Sequence, residues 1–161
     1  MPRALPWFGV ALLVLLVDLA TKGLVLSQFA PGEQRVLTPF FSLVLVFNRG
    51  AAFSFLASAP GWQTPLFAGF AVVAALVISF LLLKNKDKKW FCVGLALILG
   101  GAIGNLIDRL RYGYVVDFLD FHALGWHWPA FNVADSAITV GAAILVLEGF
   151  LRRDKPPAAA A

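Results

Sequence analysis

The sequence predicts an all-α membrane protein: four transmembrane helices with a small extracytoplasmic β-sheet between helices 1 and 2. Three observations carry this class. The 161-residue chain is 60% hydrophobic and 14% charged, with a mean hydropathy of +0.83, whereas a soluble domain of this size must cover itself with polar groups. Four segments, about Leu5–Leu26, Trp62–Leu83, Trp90–Ile107 and Phe131–Leu151, reach the roughly 20 predominantly apolar residues that cross a bilayer. Trp7, Trp62, Trp90 and Trp128 stand at segment ends, where amphipathic rings anchor at the membrane–water boundary.

The first segment opens like a secretory signal, with Arg3 ahead of an apolar run. That run outlasts a typical signal core, and Asp18 and Lys22 stand where a small-residue cleavage site belongs, so it is taken as an uncleaved span. Between the first two spans, Val36–Phe47 is rich in β-branched and aromatic residues but too short to cross a bilayer as a helix. It predicts a sheet within about residues 28–61, with Pro39 breaking the run and Asn48–Gly50 turning the chain. An interfacial loop is the plainer alternative. The stretch Arg111–Trp128 is expected to be a loop carrying Asp117, Asp120, His122 and His127. One integral membrane domain spans residues 1–155, and residues 156–161 form a disordered Pro/Ala tail.

Charge sets the orientation. Of the thirteen basic residues, Arg3, Lys84, Lys86, Lys88, Lys89, Arg152, Arg153 and Lys155 fall on one side of this topology; Arg35, Arg49, Arg109 and Arg111 fall on the other. The positive-inside rule then places both termini in the cytoplasm. The net charge of +4 is concentrated in one short lysine loop with no basic stripe along a helix, so it points to lipid rather than nucleic acid. A single cysteine excludes a disulfide within the chain.

This topology brings Asp18, Asp108, Asp117 and Asp135 to the outer membrane face, while Asp87, Glu148 and Asp154 lie toward the inner side. Asp18 and Lys22, spaced i,i+4, can neutralise each other, as a packing pair or as part of a site. Asp108 has Asn105 and Arg111 three residues away on either side, and Asn105 is i,i+4 with Arg109; a self-satisfied helix-end cluster is expected. Asp117 and Asp135 have no local cation and apolar neighbours. Two such acids brought together share one proton, because like charges a few ångströms apart resist joint ionisation, and the pair can serve as base and acid. For Asp135, stabilisation by a helix N-terminus is the structural alternative. Gly100, Gly101 and Gly104 have helix-packing spacing.

Other chemistries fit poorly. Cys92 sits at the inner end of its span, most of the ~30 Å hydrocarbon layer from His122 and His127. The two histidines match no zinc-ligand pattern, Ser54 and Ser58 lack a nucleophile-elbow context, and no glycine-rich phosphate loop follows a strand. No metal or cofactor is expected.

Five blocks carry a resemblance: DLATK (Asp18–Lys22), NRGAAF (Asn48–Phe53), GGAIGNLIDR (Gly100–Arg109), VVDF (Val115–Phe118) and FNVADSAI (Phe131–Ile138). In order and in four-span layout they resemble the signature blocks of lipoprotein signal peptidase (signal peptidase II), a family of bacterial intramembrane aspartic endopeptidases. The resemblance implies Asp117 and Asp135 as the catalytic dyad, and Asp18, Lys22, Asn48, Gly101, Asn105, Asp108, Arg109 and Asn132 as supporting residues. It implies a diacylglyceryl prolipoprotein substrate, cut before the lipidated cysteine at the outer face of the bacterial inner membrane. Membrane phospholipid would be the other partner, with no nucleic acid, and the enzyme is expected to be a monomer. On this reading Asn105, Arg109 and Asn132 would hold the substrate backbone, Asp108 would orient Arg109 or the neighbouring loop, and Ala51–Phe55 would belong to a mobile lid. A four-span carrier or proton relay and a purely structural scaffold are the rivals. A carrier calls for acids at mid-bilayer or on both faces, and only Glu148 lies near the inner end of a span.

Overall fold

A computed structural model describes residues 4–50 and 61–153. Its helices are α1 (Leu5–Gln28), α2 (Gln63–Lys84), α3 (Lys89–Tyr112) and α4 (Val133–Arg153). Its strands are β1 (Gln34–Thr38), β2 (Phe41–Asn48), β3 (Val115–Ala123) and β4 (Trp126–His127). All four helices are long and apolar enough to span a bilayer, and the chain is a multi-pass membrane protein.

The central helix is α3, against which α1, α2 and α4 all pack. Half of its apolar window is buried inside the protein, against 22% or less for the other three, which turn most of their surface outward. Small residues make that centrality possible. A Cβ on Gly101 would run into the Ala134 carbonyl of α4, and one on Gly104 into the Asp18 carboxylate of α1; glycine alone lets these backbones and side chains approach. Among the described residues α2 and α4 share no substantial contact, so a cleft opens between them over the face of α3.

The sheet is antiparallel with order β1-β2-β3-β4. Pro39 and Phe40 form the turn between β1 and β2, where a missing backbone donor costs nothing. The sheet forms where the sequence placed it, and β3 and β4 enlarge it with the stretch expected to be a loop. Asp117 and Asp120 interrupt the apolar run of β3, yet the strand is buried from Val115 to Phe118 and again at Asp120, because both acids find partners inside the fold.

Two boundaries also shift. Beyond the expected end at Ile107, α3 continues to Tyr112 and stops at Gly113, whose φ of 78° is the left-handed cap conformation that glycine adopts without strain. In turn α4 begins at Val133, because Asn132 caps it. The expectations for Ala51–Phe55, Ser54, Ser58 and the Pro/Ala tail fall outside the described residues.

Candidate active site

A buried ion cluster lies at the sheet end of the bundle. Lys22, 2% exposed, sits 2.8 Å from Asp18 Oδ2 and 2.8 Å from Asp108 Oδ2, and its ammonium donates to Asn105 Oδ1 at 2.9 Å. An ammonium buried this deeply is tolerable only with its donors engaged. The two acids then grip backbone: Asp18 Oδ1 accepts from the N–H of Ala134 (2.9 Å), and Asp108 Oδ2 from the N–H of Val116 (3.1 Å). Ala134 immediately precedes Asp135, and Val116 immediately precedes Asp117. The helix-end cluster expected around Asp108 is therefore corrected. The cation of Asp108 is Lys22 from another helix, while Arg111 lies over the Tyr112 ring at 5.2 Å; Arg109 keeps the expected i,i+4 link to Asn105, through its backbone carbonyl. Long-range geometry overrode the i,i+3 spacing.

Asp117 and Asp135 meet around Asn132. The Asn132 side chain donates to Asp117 Oδ1 at 2.7 Å, and its backbone N–H donates to Asp135 Oδ2 at 3.3 Å. Asn132 Oδ1 accepts the N–H of Asp135 at 2.9 Å, which completes a reciprocal cap on α4. That cap fixes the amide: the oxygen faces the helix, so the nitrogen faces Asp117. Two more asparagines are oriented in the same way. Asn48 Oδ1 accepts from Gly50 N–H, turning its nitrogen onto Asp117 Oδ2 at 3.0 Å. Asn105 Oδ1 accepts from Lys22, turning its nitrogen onto Asp135 Oδ1 at 2.8 Å. Every oxygen of the two carboxylates thus meets an N–H donor, and no cation forms an ion pair with either among the described residues.

Burial is the largest influence on Asp117 and raises its pKa to about 7, with the neighbouring Asp135 charge pushing the same way; the Asn48 and Asn132 donors oppose both. Near neutral pH this carboxyl is poised between protonated and ionised forms.

Both acids line a cavity of about 520 Å³ that continues from this polar end down the cleft between α2 and α4, along Phe67, Ala71, Ile138 and Val140. Arg109 also lines it. Its guanidinium donates to the carbonyls of Gly50 (3.0 Å) and Asn105 (3.3 Å) and lies 5.6 Å from the Phe67 ring centre. The buried Nε has no hydrogen-bond partner among the described residues, so one donor remains unused. Gly101 lies on the helix interface and serves packing.

The geometry can be set beside known proteins. The family model described as signal peptidase (SPase) II matches residues 10–151. The chain belongs to the signal peptidase II family. Proteins named lipoprotein signal peptidase are 62% identical in Paraburkholderia phytofirmans and 59% identical in Paraburkholderia phymatum. Both alignments cover 91% of this chain, and they cover 86% and 89% of those proteins. A bacterial membrane enzyme solved by the in meso method at 2.3 Å resolution superposes with a TM-score of 0.81 at 26% identity, over 96% of this chain and 94% of its own. Membership in this family makes the chain a peptidase.

The sequence offered no sign of the Val116, Ala134 and Gly50 backbone groups, because main-chain donors and acceptors are the same at every residue. His122 and His127 join neither aspartate. His122 Nε2 lies 2.8 Å from Ser42 Oγ and His127 Nδ1 lies 2.9 Å from Asp120, which also accepts from Gln34 at 3.0 Å, so these side chains tie the strands together.

Proposed function

We propose that this chain is an intramembrane aspartic endopeptidase that removes the signal peptide from diacylglyceryl-modified prolipoproteins, cutting before the lipidated cysteine. The observation that carries the mechanism is the arrangement of Asp117 and Asp135 on either side of Asn132, in one cavity, with amide donors and no ion-paired cation among the described residues. One carboxylate takes a proton from water, which attacks the scissile carbonyl. The protonated partner hydrogen-bonds to that oxygen and later gives a proton to the leaving amine. A pair holding one proton near pH 7 can do both.

The remaining residues sort by what they touch. Lys22, Asp18 and Asp108 hold the main chain just before each aspartate and thereby fix the angle at which the two carboxyls meet. Asn48, Asn105 and Asn132 orient the carboxylates. The side-chain amide of Asn132 is spent within the protein, which narrows the expected substrate donors to Asn105 and Arg109, both of which line the cavity. The cleft between α2 and α4 offers the diacylglyceryl chains a lateral path from lipid to the dyad, and the excess of basic residues at the other end of the bundle supports an extracytoplasmic position for this site at the bacterial inner membrane.

Cleavage of a purified, diacylglyceryl-modified precursor, followed by gel shift in detergent or nanodiscs, tests the reading. Wild-type protein should convert the precursor, while an unlipidated precursor should remain intact. Conversion of both at equal rates would refute the lipid requirement.

A further inference from the structure

The hairpin joining β3 to β4 carries two costs that the catalytic site does not explain. Leu124 at its tip has φ 52°, a left-handed conformation unusual for a branched apolar residue. Its side chain is also fully exposed, at 108% relative accessibility. Around it, Phe40, Phe121, Trp126 and Trp128 are all exposed. Four of these side chains, with Phe131 and the edge of His122, rim a shallow apolar depression of about 420 Å³. Patches of this kind mark a surface with a partner.

Charge identifies the partner. From Tyr112 to Ala134 the chain contains no lysine, arginine or glutamate, and its two carboxylates, Asp117 and Asp120, are buried at 2% and 5% exposure. The patch thus offers apolar and aromatic side chains with no free charge. It is also continuous with the lipid-facing surface, since Trp128 leads through Pro129 and Ala130 to the start of α4, and Trp128 and Phe131 line the catalytic cavity as well. We infer that the β3–β4 hairpin is a membrane anchor: Leu124 and Trp126 insert into the leaflet on the sheet side of the bundle, and the depression beside them seats an acyl chain. Trp at the headgroup level with Leu just below matches the preference of each side chain. The anchor rests on the membrane-spanning helices and not on the peptidase reading. It would hold the cavity wall formed by Trp128–Phe131 at the level of the lipid surface.

Nitroxide accessibility in nanodiscs of mixed phosphatidylcholine and phosphatidylglycerol tests this. Single labels are placed at Leu124→Cys and Trp126→Cys in a Cys92→Ala background, with Val146→Cys as the lipid reference and Lys86→Cys as the water reference. The anchor requires labels at 124 and 126 to relax with oxygen as position 146 does and to be shielded from a water-soluble nickel chelate. Chelate access equal to that at position 86 overturns it. Shielding from both reagents would mean that protein covers the hairpin and overturns it equally. Neither result depends on whether the protein cleaves a precursor.

Discussion

Two carboxylate pairs lie within a few bonds of one another and are treated in opposite ways. Asp18 and Asp108 share one ammonium, that of Lys22, and each also accepts a backbone N–H. Among the described residues, Asp117 and Asp135 receive only amide N–H groups, from Asn48, Asn105 and Asn132. A direct ion pair, backed by a backbone N–H, holds a carboxylate in place. Neutral donors orient a carboxylate while leaving its proton free to move. The first pair is thereby suited to hold the chain, and the second to chemistry.

The largest effect should come from the second pair. Asp117→Asn and Asp135→Asn should each lower precursor cleavage by about a thousandfold or more while the protein still inserts and folds. Near-normal turnover in either variant would end the dyad assignment and erase the contrast.

Lys22→Met should act on stability first. It leaves two buried acids without their cation, which costs about 3–5 kcal/mol and should appear as a sharply lower unfolding temperature in detergent. Adding Asp18→Asn and Asp108→Asn to Lys22→Met should recover part of that loss. If the single variant is as stable as wild type, the cluster is not what holds the two chain segments.

Asn132 belongs to both halves of the comparison. Asn132→Ala removes the cap of α4 at about 1–2 kcal/mol and the donor to Asp117 at about 1.5–3 kcal/mol. Activity should fall by about 10- to 100-fold with a moderate loss of thermal stability. Loss of stability with full activity would make Asn132 a cap alone.

The smallest effect is a displacement in pH. With Asp117 near pH 7, kcat/KM should decline as the pair loses its shared proton above neutrality. Asn48 donates to the ionised form, so removing it favours the protonated form. Asn48→Ala should therefore move this alkaline limb upward by roughly half to one pH unit. A downward move would contradict the donor role. The same raised pKa gives a stability sign: the contribution of Asp117 is full below its ordinary pKa of 3.8 and is lost progressively as pH rises from there through about 7. Asp117→Asn should accordingly gain more stability relative to wild type at about pH 8 than at about pH 5.

The helices were legible because each needs about 20 apolar residues in sequence, and every window reports this directly. The sheet was half legible: Val36–Phe47 is apolar enough to stand out, whereas Asp117 and Asp120 disguise β3 as a loop. At the site, the absence of a neighbouring cation singled out Asp117 and Asp135. The i,i+4 spacing revealed Lys22 with Asp18, but nothing near Asp108 in the chain pointed to Lys22, and its local arginines pointed to the wrong pairing.

Composition and the order of residues along the chain determined that it lives in a bilayer, how often it can cross, and at which end its acids gather. The tertiary structure decided which acids meet a cation and which meet neutral amide donors. Lipid tests each segment by itself, through the summed cost of its side chains. Charge compensation depends instead on atoms within about 3 Å, and those atoms come from helices and strands that only the folded bundle brings together.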